Sequence, residues 1–202
     1  MRILALDGSL GGDRGNSSVL LDAAITRLSA SATVERAVLA RAPGFAVHRP
    51  ALAAADALVV ATGTYWDSWS SRLQHFLEEA TPTEGTALWL GKPAAVLVTA
   101  HSVGGKGVLS RLQGVLSTFG ALIPPMSGLV ISRVGELARA HAGPDCEDIW
   151  SPADLEVVCH NLLACARGER DFLAWPVDRG DPSHRWLERP PVRPRSDRPQ
   201  SQ

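Results

Sequence analysis

Three times along the chain a short, unbroken apolar run gives way to a polar, glycine-bearing loop and then to apolar residues spaced three and four apart. Ile3 to Leu6 ends in Asp7-Gly8-Ser9, and Leu21, Ala24, Ile25 and Leu28 follow. Asp56 to Thr62 leads through an aromatic loop to Leu73, Phe76, Leu77 and Ala80, and Ala94 to Thr99 leads to Val108, Leu112, Val115, Leu116 and Phe119. A run that is apolar at every position marks a strand covered on both faces, whereas the wider spacing marks a helix with one buried stripe. Val34 to Leu39 predicts another short strand, followed by a loop through Pro43, Gly44 and Pro50. Leu122 to Pro125 with Leu129 to Ile131 predicts a fifth strand, whose prolines suit a sheet edge. A last helix is predicted from Pro152, capped by Ser151, with Leu155, Val158, Cys159 and Leu162 facing inward. From Pro176 onward proline and arginine crowd without apolar pattern, so the predicted domain spans residues 1–175 and residues 176–202 form a mobile or extended tail.

Strands that alternate with helices in one modest domain predict the α/β class. The expected form is a doubly wound, five-stranded parallel sheet in the order 2-1-3-4-5, with helices on both faces. Ligands of such sheets sit beyond the carboxyl ends of the strands, where strand order reverses. That rule singles out the loops after strands 1, 3 and 4: Gly8 to Ser18, Gly63 to Trp69 and His101 to Gly107.

Composition narrows the function classes. The 202 residues, 45% hydrophobic and 20% charged, suffice for one well-packed domain and exclude wholesale disorder. A net charge of -1, with 18 Arg against 2 Lys, provides no cationic field for a nucleic acid or an anionic bilayer. The longest apolar stretch, Ala51 to Ala61, is interrupted by Asp56 and falls short of the ~20 residues a helical span needs. The amino terminus reaches Asp7 after four apolar residues, too early for a signal-peptide core, so a cytoplasmic protein is expected. Cys146, Cys159 and Cys165 lack a C-x-x-C pair, and His75, His141, His160 and His184 lack ligand spacing, so neither a disulfide framework nor a metal site is expected.

The first loop puts glycines, hydroxyls and an amide just before a helix, which suits a phosphate: Ser9, Asn16, Ser17 and Ser18 can donate without full charge beside free backbone N–H groups. Capping of the helix by Asn16 or Ser17 is the alternative. Asp7 and Asp13 oppose an anion unless they turn away or are offset by Arg14. Nucleotide fingerprints fail on spacing, because the first loop's glycines stand at 8, 11, 12 and 15 and Gly107 replaces the hydroxyl residue of a P-loop. In the second loop Thr64, Tyr65 and Trp66 could receive a flat heterocycle, while Trp66 and Trp69 could equally pack beneath the loop or in a subunit interface. In the third, Ser102, Gly104 and Gly105 allow close backbone approach to a planar ligand, and His101 is either a hydrogen-bond donor to that ligand or a solvated loop residue.

Together, Gly8-Ser9 with Gly15-Asn16-Ser17, Thr64-Tyr65-Trp66 followed by Ser70-Ser71-Arg72-Leu73 and Phe76-Leu77, and His101-Ser102-Val103-Gly104-Gly105-Lys106 resemble the NADPH-dependent FMN reductase family of flavodoxin-like proteins. The resemblance runs from about Ile3 to Val130, with weaker cover to Leu173. It implies FMN as cofactor and NAD(P)H as reductant, with Ser9, Asn16, Ser17 and Ser18 on the FMN phosphate. It further implies that Thr64, Tyr65 and Trp66 line the isoalloxazine ring and that Ser102, Gly104 and Gly105 meet its pyrimidine edge. Hydride would pass from nicotinamide to flavin N5 and electrons on to a flavin, a quinone or a similar small acceptor, so no single catalytic residue is implied. A homodimer is expected. Three features depart from the family: Gly63 stands where proline is usual, Asp67 where a small residue is common, and the phosphate loop is a residue longer than usual between Ser9 and Gly15-Asn16. The alternatives from other classes are a flavodoxin-like electron carrier without its own NAD(P)H reaction and a non-catalytic interaction protein on the same fold.

Overall fold

The computed structural model describes residues 1–141 and 149–169. Its five strands are β1 (Arg2–Asp7), β2 (Thr33–Val38), β3 (Ala57–Gly63), β4 (Ala94–Ala100) and β5 (Gly128–Ser132). All pair in parallel in the order β2-β1-β3-β4-β5, the predicted topology. The connecting helices are α1 (Asn16–Leu28), α2 (Phe45–Ala54), α3 (Ser71–Ala80), α4 (Gly105–Phe119), α5 (Arg133–His141) and α6 (Leu155–Ala166).

The period-2 geometry of the strands divides their apolar runs between two cores. Leu4, Leu6, Leu58, Val60, Val96 and Val98 face α2, α3 and α4. Ile3, Ala5, Ala57, Val59, Ala61, Ala95 and Leu97 face α1 and α6. Alanines are frequent on the second face, so α1 can lie close over the middle of the sheet. On the first face the bulk comes from aromatics: Phe76 meets Phe45 at 5.5 Å between ring centroids, and the buried Trp89 meets Phe119 at 4.8 Å. The Trp89 indole N–H donates to Thr83 Oγ1 at 2.9 Å, which satisfies its buried polar atom.

Two helices were not expected. Residues 45–54, read as a loop on the strength of Pro43, Gly44 and Pro50, form α2 with Pro50 inside it. An interior proline removes one helical hydrogen bond. Here burial of Phe45, His48 and Leu52 offsets that loss, and both helix ends are capped from other elements. Glu79 Oε2 accepts from the Phe45 N–H at 2.7 Å, and Lys92 Nζ donates to the carbonyls of Leu52 and Ala53. Helix α5 has no buried residue, so no apolar stripe announced it. The last helix follows the expectation: Ser151 and Asp154 form a capping box around Pro152, and Leu155, Val158, Cys159 and Leu162 are buried. The fifth strand is at the sheet edge as expected but shorter: it begins at Gly128, and of the segment Leu122 to Pro125 only Leu122 pairs, in an isolated bridge with Pro93, because prolines cannot donate to a ladder. The 176–202 tail and Cys146 lie outside the described residues, and no described helix is long and apolar enough to cross a membrane.

Register decides what happens at the top of the sheet. Asp7 pairs with Ala61, Gly63 with Thr99, and Thr99 with Ile131, so the carboxyl ends of β1, β3, β4 and β5 finish side by side.

Burial pushes the Cys159 thiol from its ordinary 9.0 up to about 12, with Arg27 opposing the shift and Glu156 adding to it. Between those two values the folded chain keeps a proton that the unfolded chain loses. This stabilising contribution is therefore complete below pH 9.0 and is lost as pH rises toward 12. Urea unfolding from pH 8 to pH 11 is expected to show a steeper stability loss in the wild type than in Cys159→Ala; parallel curves would contradict the assignment.

Candidate functional site

The loop after β1 is built on a buried carboxylate. Asp7 is fully buried, and its side chain accepts from the Ser9 N–H at 3.0 Å, from Ser18 Oγ at 2.7 Å and from Arg36 Nη2 at 2.6 Å. Arg36, on β2, also reaches Asp22 Oδ1 at 2.6 Å. Asp13 pairs with Arg41. Both acids that could have repelled an anion are thus offset, by Arg36 and Arg41 rather than by Arg14. With its charge held beneath the loop, Asp7 pulls Ser9 and Ser18 down and leaves the start of α1 open. That helix start has no side-chain cap and no acid in its first turn, so its N–H groups remain free.

Ser9, Asn16 and Ser17 face a cavity of about 690 Å³ beside this helix start. Ser17 is 2% exposed, and its hydroxyl makes no hydrogen bond within the described residues. Ser18 does not join them, because its hydroxyl is committed to Asp7 and to the Gly12 carbonyl. Gly15 completes the cradle: a Cβ there would stand 1.9 Å from Ser9 Oγ, so any side chain at this position displaces that hydroxyl.

The loop after β3 supplies the other end of the cavity. Tyr65 and Ser68 exchange backbone hydrogen bonds at 2.8 and 2.9 Å, and the two residues between them, Trp66 and Asp67, have φ values of 49° and 57°. Positive φ at both central positions is the mark of a type I′ turn, usually filled by Asn-Gly; tryptophan and aspartate hold it here at a cost in backbone strain. The turn is clamped to α4, where Arg111 donates to the Asp67 carbonyl and lies 5.9 Å from the Trp69 ring. Trp69 is half-buried and donates to Gln74 Oε1 at 2.8 Å, whereas Trp66 is 102% exposed at the tip and does not line the cavity. Thr64 and Tyr65 do line it. The Tyr65 ring folds back over Gly63, where a Cβ would stand 3.0 Å from ring carbon Cε2. The missing side chain at Gly63 therefore seats an aromatic face on the cavity wall.

The loop after β4 divides. Thr99, Ala100 and His101 line the same cavity, while Ser102, Gly104 and Gly105 line a neighbouring one of about 410 Å³. Gly104, at φ 85°, lies against Asp67, and a Cβ there would stand 2.1 Å from Asp67 Oδ1. Glycine at 104 thus serves the contact between the two loops. Beside it the Thr64 hydroxyl is buried without a partner.

The remaining wall was not foreseen: Val19, Leu20 and Ala23 of α1, Ile131 and Ser132 ending β5, Arg133 and Glu136 of α5, and Pro152. Its signal was available, since β5 is the register neighbour of β4 and its carboxyl end belongs to the same rim, but no glycine-rich loop marked it. The cavity falls within the roughly 300–1,000 Å³ usual for small-molecule sites. It joins an uncapped, acid-free helix start with serine hydroxyls to an aromatic face, and no indole among the described residues lines it. These residues fit a phosphorylated planar ring such as FMN. Among the described residues no group of three His, Cys, Asp or Glu could hold a metal ion.

A doubly wound sheet of this strand order, with its cavity at the crossover, defines a flavodoxin-like protein. Residues 1–135 match the model of the NADPH-dependent FMN reductase family, and the chain belongs to that family. It is a flavin reductase/oxidoreductase that uses FMN with NAD(P)H as reductant. Among curated proteins none matches the chain. Solved structures share the fold. RosB with its bound intermediate 8-demethyl-8-formylriboflavin-5'-phosphate aligns at 16% identity and TM-score 0.64, over 95% of this chain and 97% of that one. An oxidoreductase from Corynebacterium diphtheriae aligns at 20% identity and TM-score 0.63, over 84% of this chain and 99% of that one. The apo form of NADH:FMN oxidoreductase (EMOB) aligns at 19% identity and TM-score 0.61, over 84% of this chain and 90% of that one.

Two substitutions test the construction of the cradle. Gly15→Ala is expected to weaken FMN binding by about tenfold in a fluorescence-quenching titration, through loss of the Ser9 donor and the distorted loop. Arg36→Met leaves Asp7 buried without its cation and is expected to cost about 3–5 kcal/mol in urea unfolding. A loss below about 1 kcal/mol would show that the Asp7 charge is balanced elsewhere.

Proposed function

We propose that the chain takes hydride equivalents from NAD(P)H and delivers them to a small acceptor, a flavin, a quinone or a similar molecule, through FMN seated in the 690 Å³ cavity. Ser9, Asn16 and Ser17 would hold the phosphate with the free N–H groups of α1, and Thr64 and Tyr65 would hold the ring. One observation carries this reading: a single cavity runs from an acid-free helix start to an aromatic wall. When bound, FMN supplies the redox chemistry, accepting hydride and passing electrons on. The protein's share is to bind, to orient and to exclude water. The titratable side chains on the wall are Tyr65, His101, Arg133 and Glu136. Gly104 and Gly105, with Ser102, would meet the pyrimidine edge of the ring, and Gly104 would also support the β3 loop through Asp67.

The exposed Trp66 on a strained turn favours a homodimer, because an indole held fully in water gains most from a second subunit. A cytoplasmic setting agrees with the buried, reduced Cys159.

The test is direct. Purified protein titrated with FMN is expected to bind it saturably and then to oxidise NADPH in the presence of a flavin or quinone acceptor. Saturable FMN binding without NAD(P)H oxidation would instead identify an electron carrier. Ser17→Ala should raise the FMN dissociation constant by about three- to tenfold while leaving the thermal midpoint nearly unchanged.

A further inference from the structure

We propose that Arg133 forms a second anion subsite in the cavity, receiving a phosphate group of the nicotinamide dinucleotide. The proposal rests on the functional reading above and extends it to the part of the wall that the flavin phosphate does not explain.

Two charged side chains line the cavity, Arg133 and Glu136, and Glu136 is matched by Arg139 at 2.8 Å. Arg133 is unmatched. It lines the cavity, it is exposed, and it makes no ion pair or hydrogen bond through its side chain among the described residues. Because Arg139 engages Glu136, the neighbouring carboxylate does not cancel the Arg133 charge.

Arg133 stands on a different part of the wall from the phosphate loop that follows β1. It follows the end of β5, and β5 stands three strand positions from β1 across β3 and β4. Three strand spacings amount to roughly 14 Å. FMN carries one phosphate, and its oxidised ring has no net charge. A guanidinium at the far wall of the same cavity therefore matches an anion on a second ligand. The enzyme's reductant is such a ligand, bearing a pyrophosphate in both of its forms and a 2′-phosphate in NADPH alone. Placement is stiffened by two contacts: the Val134 N–H donates to the His101 carbonyl at 3.1 Å, and the Gly135 N–H donates to Ser132 Oγ at 3.0 Å. The first turn of α5 is thus fastened to the β4 loop, and the guanidinium hangs from a fixed base at the exposed mouth, where a ligand that must leave after each turnover would bind.

The experiment compares wild type, Arg133→Ala and Arg133→Lys by equilibrium titration of the FMN-loaded protein with NADP⁺ and with NAD⁺, alongside FMN titration of the apoprotein. The residue is exposed, so the thermal midpoint and FMN affinity should stay at wild-type values. Arg133→Ala is expected to weaken NADP⁺ by about tenfold or more, and Arg133→Lys to recover part of that loss, since lysine keeps the charge without the planar fork. Weakening of NADP⁺ alone would support the subsite and identify the 2′-phosphate; equal weakening of NADP⁺ and NAD⁺ would support it and identify the pyrophosphate. Unchanged affinity for both, or a wild type that binds neither, overturns the proposal. A wild type that does not bind FMN overturns the functional reading instead, and the FMN titration separates the two failures.

Discussion

The site depends on one buried charge and its neutralisation. A carboxylate at the end of a central strand would be costly to hide and hostile to any phosphate above it. Arg36 reverses both effects by reaching across from β2 to Asp7, and two further acceptor directions are taken by the Ser9 N–H and the Ser18 hydroxyl. The same acid that argues against an anion on paper is, in the folded chain, what ties the phosphate loop down. The loop can then leave the first N–H groups of α1 uncapped, because its own polar groups are satisfied from below.

The second loop shows a different economy. A type I′ turn built from Trp66 and Asp67 is held against its backbone preference by contacts on α4, through Arg111 and Trp69, and by the close approach of Asp67 to Gly104. Strain of this sort persists only where the surroundings over-determine it. What the strain achieves is placement: Tyr65 lies over Gly63 on the cavity wall and Trp66 stands in solvent at the rim. The departure of Gly63 from the family's usual proline is explained by the same contact, since a side chain there would meet the tyrosine ring. Of the small residues at 104 and 105, which resemble the family's ring contacts, Gly104 lets two loops touch and Gly105 lets α4 start close against Val130 of β5.

Much of this could be read in advance, for a definite reason. The β1, β3 and β4 runs are apolar at every position because the strands are covered on both faces, and the stripes of α1, α3, α4 and α6 follow from burial of one side; each leaves a local trace in the order of residues. Helix α2 was missed because Pro50 and its flanking turn residues argue locally against a helix, while its stabilisation comes from Phe76, Glu79 and Lys92, residues distant in the chain. Helix α5 was missed because it buries nothing. Among site residues the hydroxyls before α1 and Thr64-Tyr65 were legible as loop chemistry at strand ends. Ser18 was indistinguishable from Ser17 by composition, and only the helical turn of about 100° per residue separates them, sending one hydroxyl to the cavity and the other to Asp7.

By itself, then, the order of residues determined the α/β class, the strand sequence across the sheet and which loops must meet, because hydrophobic period and connection rules are local or nearly so. Tertiary structure alone decided which face of each loop looks into the cavity, which acids are silenced and by which arginines, and that the β5–α5 junction belongs to the site. Those are outcomes of strand register and of pairs such as Asp7 with Arg36, whose partners meet only when the sheet has formed, and no spacing along the chain encodes the direction in which a side chain then points.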